Sequence, residues 1–420
     1  MHPTTLQILA SAIFVIAIVH TFSSAFFEKL AAKSIAHKHL FHLLGEVEVV
    51  FGFWALVLML LMGLLAGDYH VPIEYLETRN FNDCLFLFAI MVVSASKPIL
   101  AFASSLVAFV SGLINQIFKL NLSACVYFLT LSLVPVLGAV ITGPAAMTLG
   151  ALLLKEKVFS QTKNTQLMYW TLAVLFVNIS ISGALTNFTP PVLLVAHGWA
   201  WDNVYMFHHF GIKALIAVIA NAFIVTVMFN KHLPSAPITQ SNHNAPAVVV
   251  AVHLLFLISI VIFAHHPVVF MGLLLFFLGY TQAYAKHQSP LLLKQALMVS
   301  FFLAGLVVLG GLQEWWLEPV VKGMDVQWLF YGSVALTSIA DNAAIAYLGS
   351  LVQGTSEAFK YALVAGVLAG GGLTVIANAP NPAGAALLKA HFPNGAISAL
   401  SLFIAAIVPT LVAILAFQLL

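Results

Sequence analysis

One acid stands apart in the second half of the sequence. Asp341 lies in SIADNAAI, inside an apolar stretch spanning 326–352. A charge at membrane depth costs about 3 kcal/mol or more, so acids there face a cavity and mark an ion or proton path. A carboxylate can hold Na+ or a proton but not easily both, and that competition alone produces exchange. The same residue would also suit the start of the following helix, where an Asp oxygen caps exposed backbone N–H groups. The two roles are compatible. Asn342, Ser338 and Thr337 offer neutral oxygens beside it. Thr374, Asn378 and Asn381 offer more in a stretch broken by Gly371, Gly372 and two prolines, and Thr186, Asn187 and Thr189 do so after Gly183. Sodium takes a shell of hard oxygens, and unwound helix adds backbone carbonyls to side chains. Singly, such residues are mostly caps or turns; together they make a candidate Na+ site with Asp341 as its charged ligand. Gly183, Gly371 and Gly372, with Gly143 and Pro144 in the first half, are the expected hinges, since glycine permits close backbone approach. Gly370-Gly371-Gly372 is no phosphate loop, because no strand precedes it and no Gly-Lys-Ser/Thr follows.

The elements that must position these residues are membrane helices. Of 420 residues, 62% are hydrophobic and only 7% charged, with a mean hydropathy of +1.04. An ordinary soluble domain carries roughly 25% charged residues. Cytosolic enzymes, disordered chains and coiled coils are thereby excluded. So is a disulfide scaffold, as Cys84 and Cys125 both sit in apolar runs. The net charge is +2 and the lysines are scattered, so no nucleic-acid surface is expected. Stretches long enough to cross a bilayer run over 4–27, 46–66, 84–118, 122–154, 166–200, 203–229, 248–264, 267–285, 292–313, 326–352, 357–390 and 396–419. The first is expected to be a retained helix, without a basic n-region or a small-residue cleavage site. Helix breakers fall inside several spans: Pro98, Thr142-Gly143-Pro144, Gly183 to Pro191, Asp341-Asn342, and Gly370 to Pro382. Irregular backbone at membrane depth needs protein or a water-lined cavity to satisfy it, so the breaks point at a site.

Suppose 122–154 and 326–352 are re-entrant hairpins and every other span crosses once, although 84–118 could instead be two short segments meeting near Lys97-Pro98. Eleven basic residues, from Lys29 to Lys389, then share one side; Arg79, Lys322 and Lys360 lie opposite, and Lys97 and Lys213 fall within spans. Basic residues concentrate in cytoplasmic loops. Both termini are then outside, and the polar, proline-containing segment 231–247 is an internal linker. It separates a first repeat, 1–230, from a second, 248–420. Pro144-Ala145-Ala146-Met147 is answered by Asn342-Ala343-Ala344-Ile345, and Gly183-Ala184-Leu185-Thr186 by Gly371-Gly372-Leu373-Thr374. Each is followed by prolines and one closing apolar helix. Five crossings per half make the second half inverted. The expected fold is an all-α polytopic membrane protein of two inverted repeats, each with three leading helices, a re-entrant hairpin, a broken helix and a closing helix. Inverted repeats with matched broken helices point to a secondary transporter.

The hairpin SIADNAAIAYLGS, followed about 30 residues later by AGGGLTVIANAPNPAGAALL, resembles the ion transporter superfamily. Within it the likeness is to NhaD-type Na+/H+ antiporters and arsenite-pump relatives. The first half departs from the pattern: its tip reads Thr142-Gly143-Pro144, with no acid. The resemblance implies two helical repeats, hairpin tips meeting near the midplane, a homodimer in the inner (plasma) membrane, and Na+ and H+ as cargo without a resident cofactor.

Rival readings follow from the same residues. Helix starts at hairpin tips carry partial positive charge and would suit a small carboxylate or oxyanion, possibly coupled to sodium. An enzyme is not expected, for want of HExxH, Gly-x-Ser-x-Gly or paired acidic motifs. Glu46 and Glu48 sit where 46–66 begins, as favourable helix-start charges. Lys97 would pair or snorkel, and Asp202 and Lys213 would be interfacial. The sixteen histidines include the neighbours His208-His209 and His265-His266. Adjacent helical residues do not face one another, so these are poor chelates, and pH sensing suits them better.

Overall fold

The computed structural model describes residues 4–33, 37–234, 245–321 and 323–420. Every regular element among them is helical. Among the described residues seven helices are long and apolar enough to cross a membrane: Val49–Ala66, Lys97–Phe118, Leu122–Ile141, Thr165–Ala196, Asn203–His232, Leu293–Gly310 and Ala399–Leu419. Thr5–Thr21, Asn82–Ser94, Ala247–Ile262 and Pro267–Ala283 are shorter apolar helices. The expected linker falls largely on 235–244, outside the described residues, and the side chain of Glu48 also lies outside them.

The chain divides into two compact units. One comprises Met1–Phe88, Leu293–Asp325 and Tyr347–Ser356. Its centre is a close crossing of Val47–Ala66 with Leu293–Gly310. A methyl group at Gly305 would meet the backbone of Phe51 and Gly52, so only glycine allows the approach. Glu46, expected as a helix-start charge, makes no capping bond and pairs with Lys294 at 3.0 Å. Buried His20 has both ring nitrogens engaged: Trp54 Nε1 donates to Nδ1 at 3.0 Å, and Nε2 faces the Leu44 carbonyl at 2.9 Å. An indole only donates and a carbonyl only accepts, so the proton sits on Nε2.

The other unit comprises Ala89–Leu292, Val326–Ala346 and Glu357–Leu420. It holds every expected site residue. Its helices come in a repeated order. Leu122–Ile141 and Gly143–Leu154 are followed by Thr165–Ser182, a break, Pro190–Ala196, and later Ile212–Phe229. Val326–Thr337 and Asn342–Ser350, of which this unit holds the part up to Ala346, are followed by Glu357–Gly370, a break, Asn381–Leu388, and Ala399–Leu419. The first broken helix is the most enclosed of the seven spans, with 89% of its apolar window buried, against 28% for Lys97–Phe118. The breaks therefore sit in this unit's interior.

A buried amide network anchors the first break. Pro135 inside Leu122–Ile141 cannot donate to the carbonyl of Leu131. Asn178 Nδ2 takes that carbonyl at 2.7 Å and Val218 O at 3.1 Å. Asn221 Nδ2 in turn donates to Asn178 Oδ1 at 3.0 Å and to Pro409 O at 3.1 Å. Four helices are thus tied together by two fully buried asparagines.

The stretch 84–118, which could be one crossing or two segments meeting near Lys97-Pro98, is two helices, Asn82–Ser94 and Lys97–Phe118, interrupted at Ala95–Ser96. Pro98 in the first turn of the second helix cannot continue the first helix's hydrogen bonding, and Ser96 is extended. Lys213, expected at an interface, is half-buried; Nζ donates to the Tyr361 hydroxyl at 2.8 Å and lies 4.5 Å over the same ring. Asp202 does stand at a helix start, where Oδ1 accepts from Tyr205 N at 2.7 Å.

Candidate ion site

Glycines bring Val326–Thr337 onto the second broken helix. Val326–Thr337 lies against Glu357–Gly370 at Gly366 and Gly370. A Cβ at Gly366 would stand 2.5 Å from Phe330 O, and one at Gly370 would stand 2.7 Å from Val334 O and 3.0 Å from Thr337 Cβ. This approach of small residues four apart carries Thr337, the last residue of its helix, to the start of the break at 371–380.

The chain then turns through Ser338–Ala340 to Asp341. Its Oδ1 accepts from Ala343 N at 2.8 Å and from Ala344 N at 3.4 Å, capping Asn342–Ser350. The capping role is therefore present, and the helix's positive end lies against the carboxylate. Two bonds stitch the turn to the break. Asn342 N donates to Ala377 O at 3.0 Å, and Thr374 Oγ1 donates to Ser338 O at 2.8 Å. Asn381 closes the break on itself: Nδ2 donates to Gly371 O at 2.8 Å and Thr374 O at 2.9 Å, while its backbone N donates to Asn378 O at 3.0 Å.

Three side chains at this point carry buried polar atoms with no hydrogen-bond partner among the described residues: Thr337 Oγ1, both amide atoms of Asn342, and Asn381 Oδ1. Thr337 and Asn381 are fully buried and Asn342 is 1% exposed. All three border Gly370–Gly371. A Cβ on Gly371 would stand 2.8 Å from Asn342 Nδ2, Gly371 O binds Asn381, and Thr337 faces Gly370. Thr130, Thr148, Thr171 and Thr226 each satisfy their hydroxyl on the carbonyl four residues earlier; Thr337 does not. Leaving such a group unpaired costs about 1–3 kcal/mol each. Three orphaned oxygens, on Thr337, Asn342 and Asn381, thus gather around Gly370–Gly371, and Asn342 directly follows Asp341 in the chain. Ser338 Oγ donates to Ala335 O at 2.6 Å, and Asn378 is buried within the break.

The first break is built differently. Gly183–Leu185 forms a 3-10 turn. Thr189 Oγ1 donates to Gly183 O at 2.9 Å, and Thr186 Oγ1 to Ala139 O of the first hairpin at 3.0 Å. Asn187 N donates to Asn203 Oδ1 at 2.9 Å and its Nδ2 to Trp201 O at 3.1 Å; its buried Oδ1 is left over. Thr186, Asn187 and Thr189 are thus brought together, around bonds of their own. They do not share the hydrogen bonds of the second break.

The two broken helices cross where Ser180 Oγ donates to Leu368 O at 2.7 Å. A methyl at Gly371 would strike Ser180 Oγ, and one at Gly372 the backbone of Val177. The first hairpin reaches the same break, for a Cβ at Gly143 would stand 3.1 Å from Pro380 Cγ. Pro144 follows at the start of the second arm, its carbonyl accepting from Thr148 Oγ1. Thr142 holds the tip at φ 74°, a strained conformation for a β-branched residue. Its hydroxyl lies 3.3 Å from Ser94 Oγ, beside the interruption at Ala95–Ser96. Ser180, Ser94 and Thr142 were not among the expected site residues. Thr-Gly-Pro and the Ser-Ala-Ser-Lys-Pro run were the available signals.

Residues 5–420 match the family model described as "Putative Na+/H+ antiporter". The chain belongs to that family. No curated protein matches it. Membership over nearly the whole length, with seven long apolar helices, makes the chain a multi-pass membrane protein of a transporter family. Among the described residues no three His, Cys, Asp or Glu side chains group as for a bound metal ion.

Proposed function

We propose that the protein is a secondary active Na+/H+ antiporter in which Na+ and H+ compete for Asp341. The observation that carries the reading is the set of orphaned oxygens on Thr337, Asn342 and Asn381 around Gly370–Gly371, with Asn342 the residue directly after Asp341. Na+ would draw on Asp341 and these neutral oxygens, and Thr374, Ser338 and Asn378 hold the surrounding backbone. When Na+ leaves, a proton takes the carboxylate. The family description supports the choice of cargo.

In this reading the two hairpins are re-entrant, the halves are inverted repeats, and the site lies near the bilayer midplane. The protein takes its place among NhaD- and arsenite-pump-like members of the ion transporter superfamily. It works as a homodimer in the inner (plasma) membrane, with both termini outside and the central linker, between repeats 1–230 and 248–420, inside. Alternating access moves the hairpin-bearing parts, with Gly143, Pro144, Gly183, Gly371 and Gly372 as hinges.

The test is an imposed Na+ gradient across proteoliposomes. Proton movement should follow in the wild type and vanish in Asp341→Asn. Undiminished exchange in the variant would refute the site. Stabilisation by small anions, with no Na+-driven proton movement, would favour an anion transporter instead.

A further inference from the structure

We infer that His253 is a proton-binding site outside the ion site, and that its protonation turns over the side-chain amide of Gln288. The inference stands apart from the antiport reading, for it uses no residue of either break. His253 lies in Ala247–Ile262 and is fully buried. Its Nδ1 stands 2.7 Å from Val249 O, one turn earlier in the helix. A carbonyl only accepts, so Nδ1 carries the hydrogen. Nε2 of the neutral ring is then an acceptor, and Gln288 Nε2 donates to it at 2.8 Å. The other end of the same amide, Gln288 Oε1, is buried with no hydrogen-bond partner among the described residues.

A proton added at Nε2 would set two donors head on. Turning the Gln288 amide over brings Oε1 to face Nε2–H, and the imidazolium then donates from both nitrogens, to Val249 O and to Oε1. One amide atom is left without a partner in either arrangement, so the turn exchanges one leftover atom for the other. What the protonated state adds is a charge-assisted hydrogen bond. Buried His20 has no such second arrangement. Its Nδ1 receives Trp54 Nε1, and an indole has no acceptor to offer in exchange.

The surroundings leave the response to Gln288. Phe277 and Tyr280 of Pro267–Ala283 hold their ring centroids 5.3 and 5.5 Å from the imidazole, within the ~6 Å at which an aromatic face attracts a cation. Ala247–Ile262 packs on Pro267–Ala283 and on Lys97–Phe118. Besides His253, the titratable side chains of these three helices are Tyr280 and Lys97, and Tyr284, Lys286 and His287 lead into Gln288. None of the three helices carries an Asp or Glu. Among the described residues no charged group acts on His253; its polar contacts are Val249 O and Gln288. The carbonyl cannot change its role, and the amide can.

The experiment is an NMR titration of the purified full-length protein carrying isotope-labelled histidine and glutamine. The signals are assigned by their loss in His253→Asn and in Gln288→Met. Between about pH 4 and 9, His253 should pass from one N–H to two. The Gln288 amide signals should move with the same midpoint. In Gln288→Glu a carboxylate faces Nε2–H, so the affinity of His253 for the proton should rise by at least ~10-fold, about one pH unit. In Gln288→Met no acceptor remains, and the midpoint should fall. In the wild type alone, a His253 that keeps one N–H across the whole range, or Gln288 signals that stay still while His253 titrates, would overturn the inference. So would one midpoint shared by the wild type and both Gln288 variants.

Discussion

The two breaks occupy matching places in the order of helices and are held by different means. The first is wound into a 3-10 turn and spends its hydroxyl protons on its own carbonyls and on the hairpin's. The second leaves ten residues, 371–380, without regular helix and keeps three polar side chains with unpartnered atoms. An acid stands at the second tip and none at the first. One break is closed by its own bonds, and the other keeps polar atoms open; in the proposed antiport the first is a joint and the second the seat. Glycine makes the difference possible: Gly366 and Gly370 draw Val326–Thr337 in until Thr337 faces the break, and Gly371 admits Asn342.

The largest effect should come from Asp341→Asn. Asn caps a helix as well as Asp does, so the protein should fold and melt normally. Na+-driven proton flux should fall by at least ~100-fold, because an amide cannot take the competing proton. Gly371→Ala should come next. Its methyl would meet Ser180 Oγ and Asn342 Nδ2, and overpacking of this kind costs about 1–3 kcal/mol. A lower melting temperature together with weaker Na+ binding would be seen; a variant unchanged in both would deny the close crossing.

Two threonines then sharpen the contrast. Thr337→Val removes a buried hydroxyl that has no partner, so stability should hold or rise slightly while half-saturating Na+ rises by roughly 10-fold. Thr189→Val removes a hydroxyl bonded to Gly183 O. It should lower stability by about 1 kcal/mol and leave the half-saturating Na+ concentration unchanged. If the two variants exchanged these signatures, seat and joint would have to be swapped.

Much of this arrangement could be read from residue types. Asp341 amid apolar residues and the glycine–proline interruptions each carry a local physical signal, and the helix breaks fall where those signals lie. What escaped depends on long-range partners. Ser180 resembles any serine in an apolar helix; only its bond to Leu368, 188 residues away, places it at the crossing. Asn178 gains its role from a carbonyl freed by Pro135 in another helix. Lys213 looked interfacial because a tyrosine 148 residues distant could not be seen to receive it. The split of 84–118 was signalled by Lys97-Pro98, and the helices break one residue before that pair, at Ala95–Ser96. Thr337 was visible as an oxygen, but its missing partner was not.

The most direct measurement is calorimetric Na+ binding to purified protein in buffers of different ionisation enthalpy, over a range of pH. Shared use of Asp341 predicts that apparent Na+ affinity weakens as pH falls and that, on the acid side, each Na+ bound releases about one proton. In Asp341→Asn the proton release should disappear. Na+ binding that is independent of pH, or proton release that survives the substitution, would contradict the account.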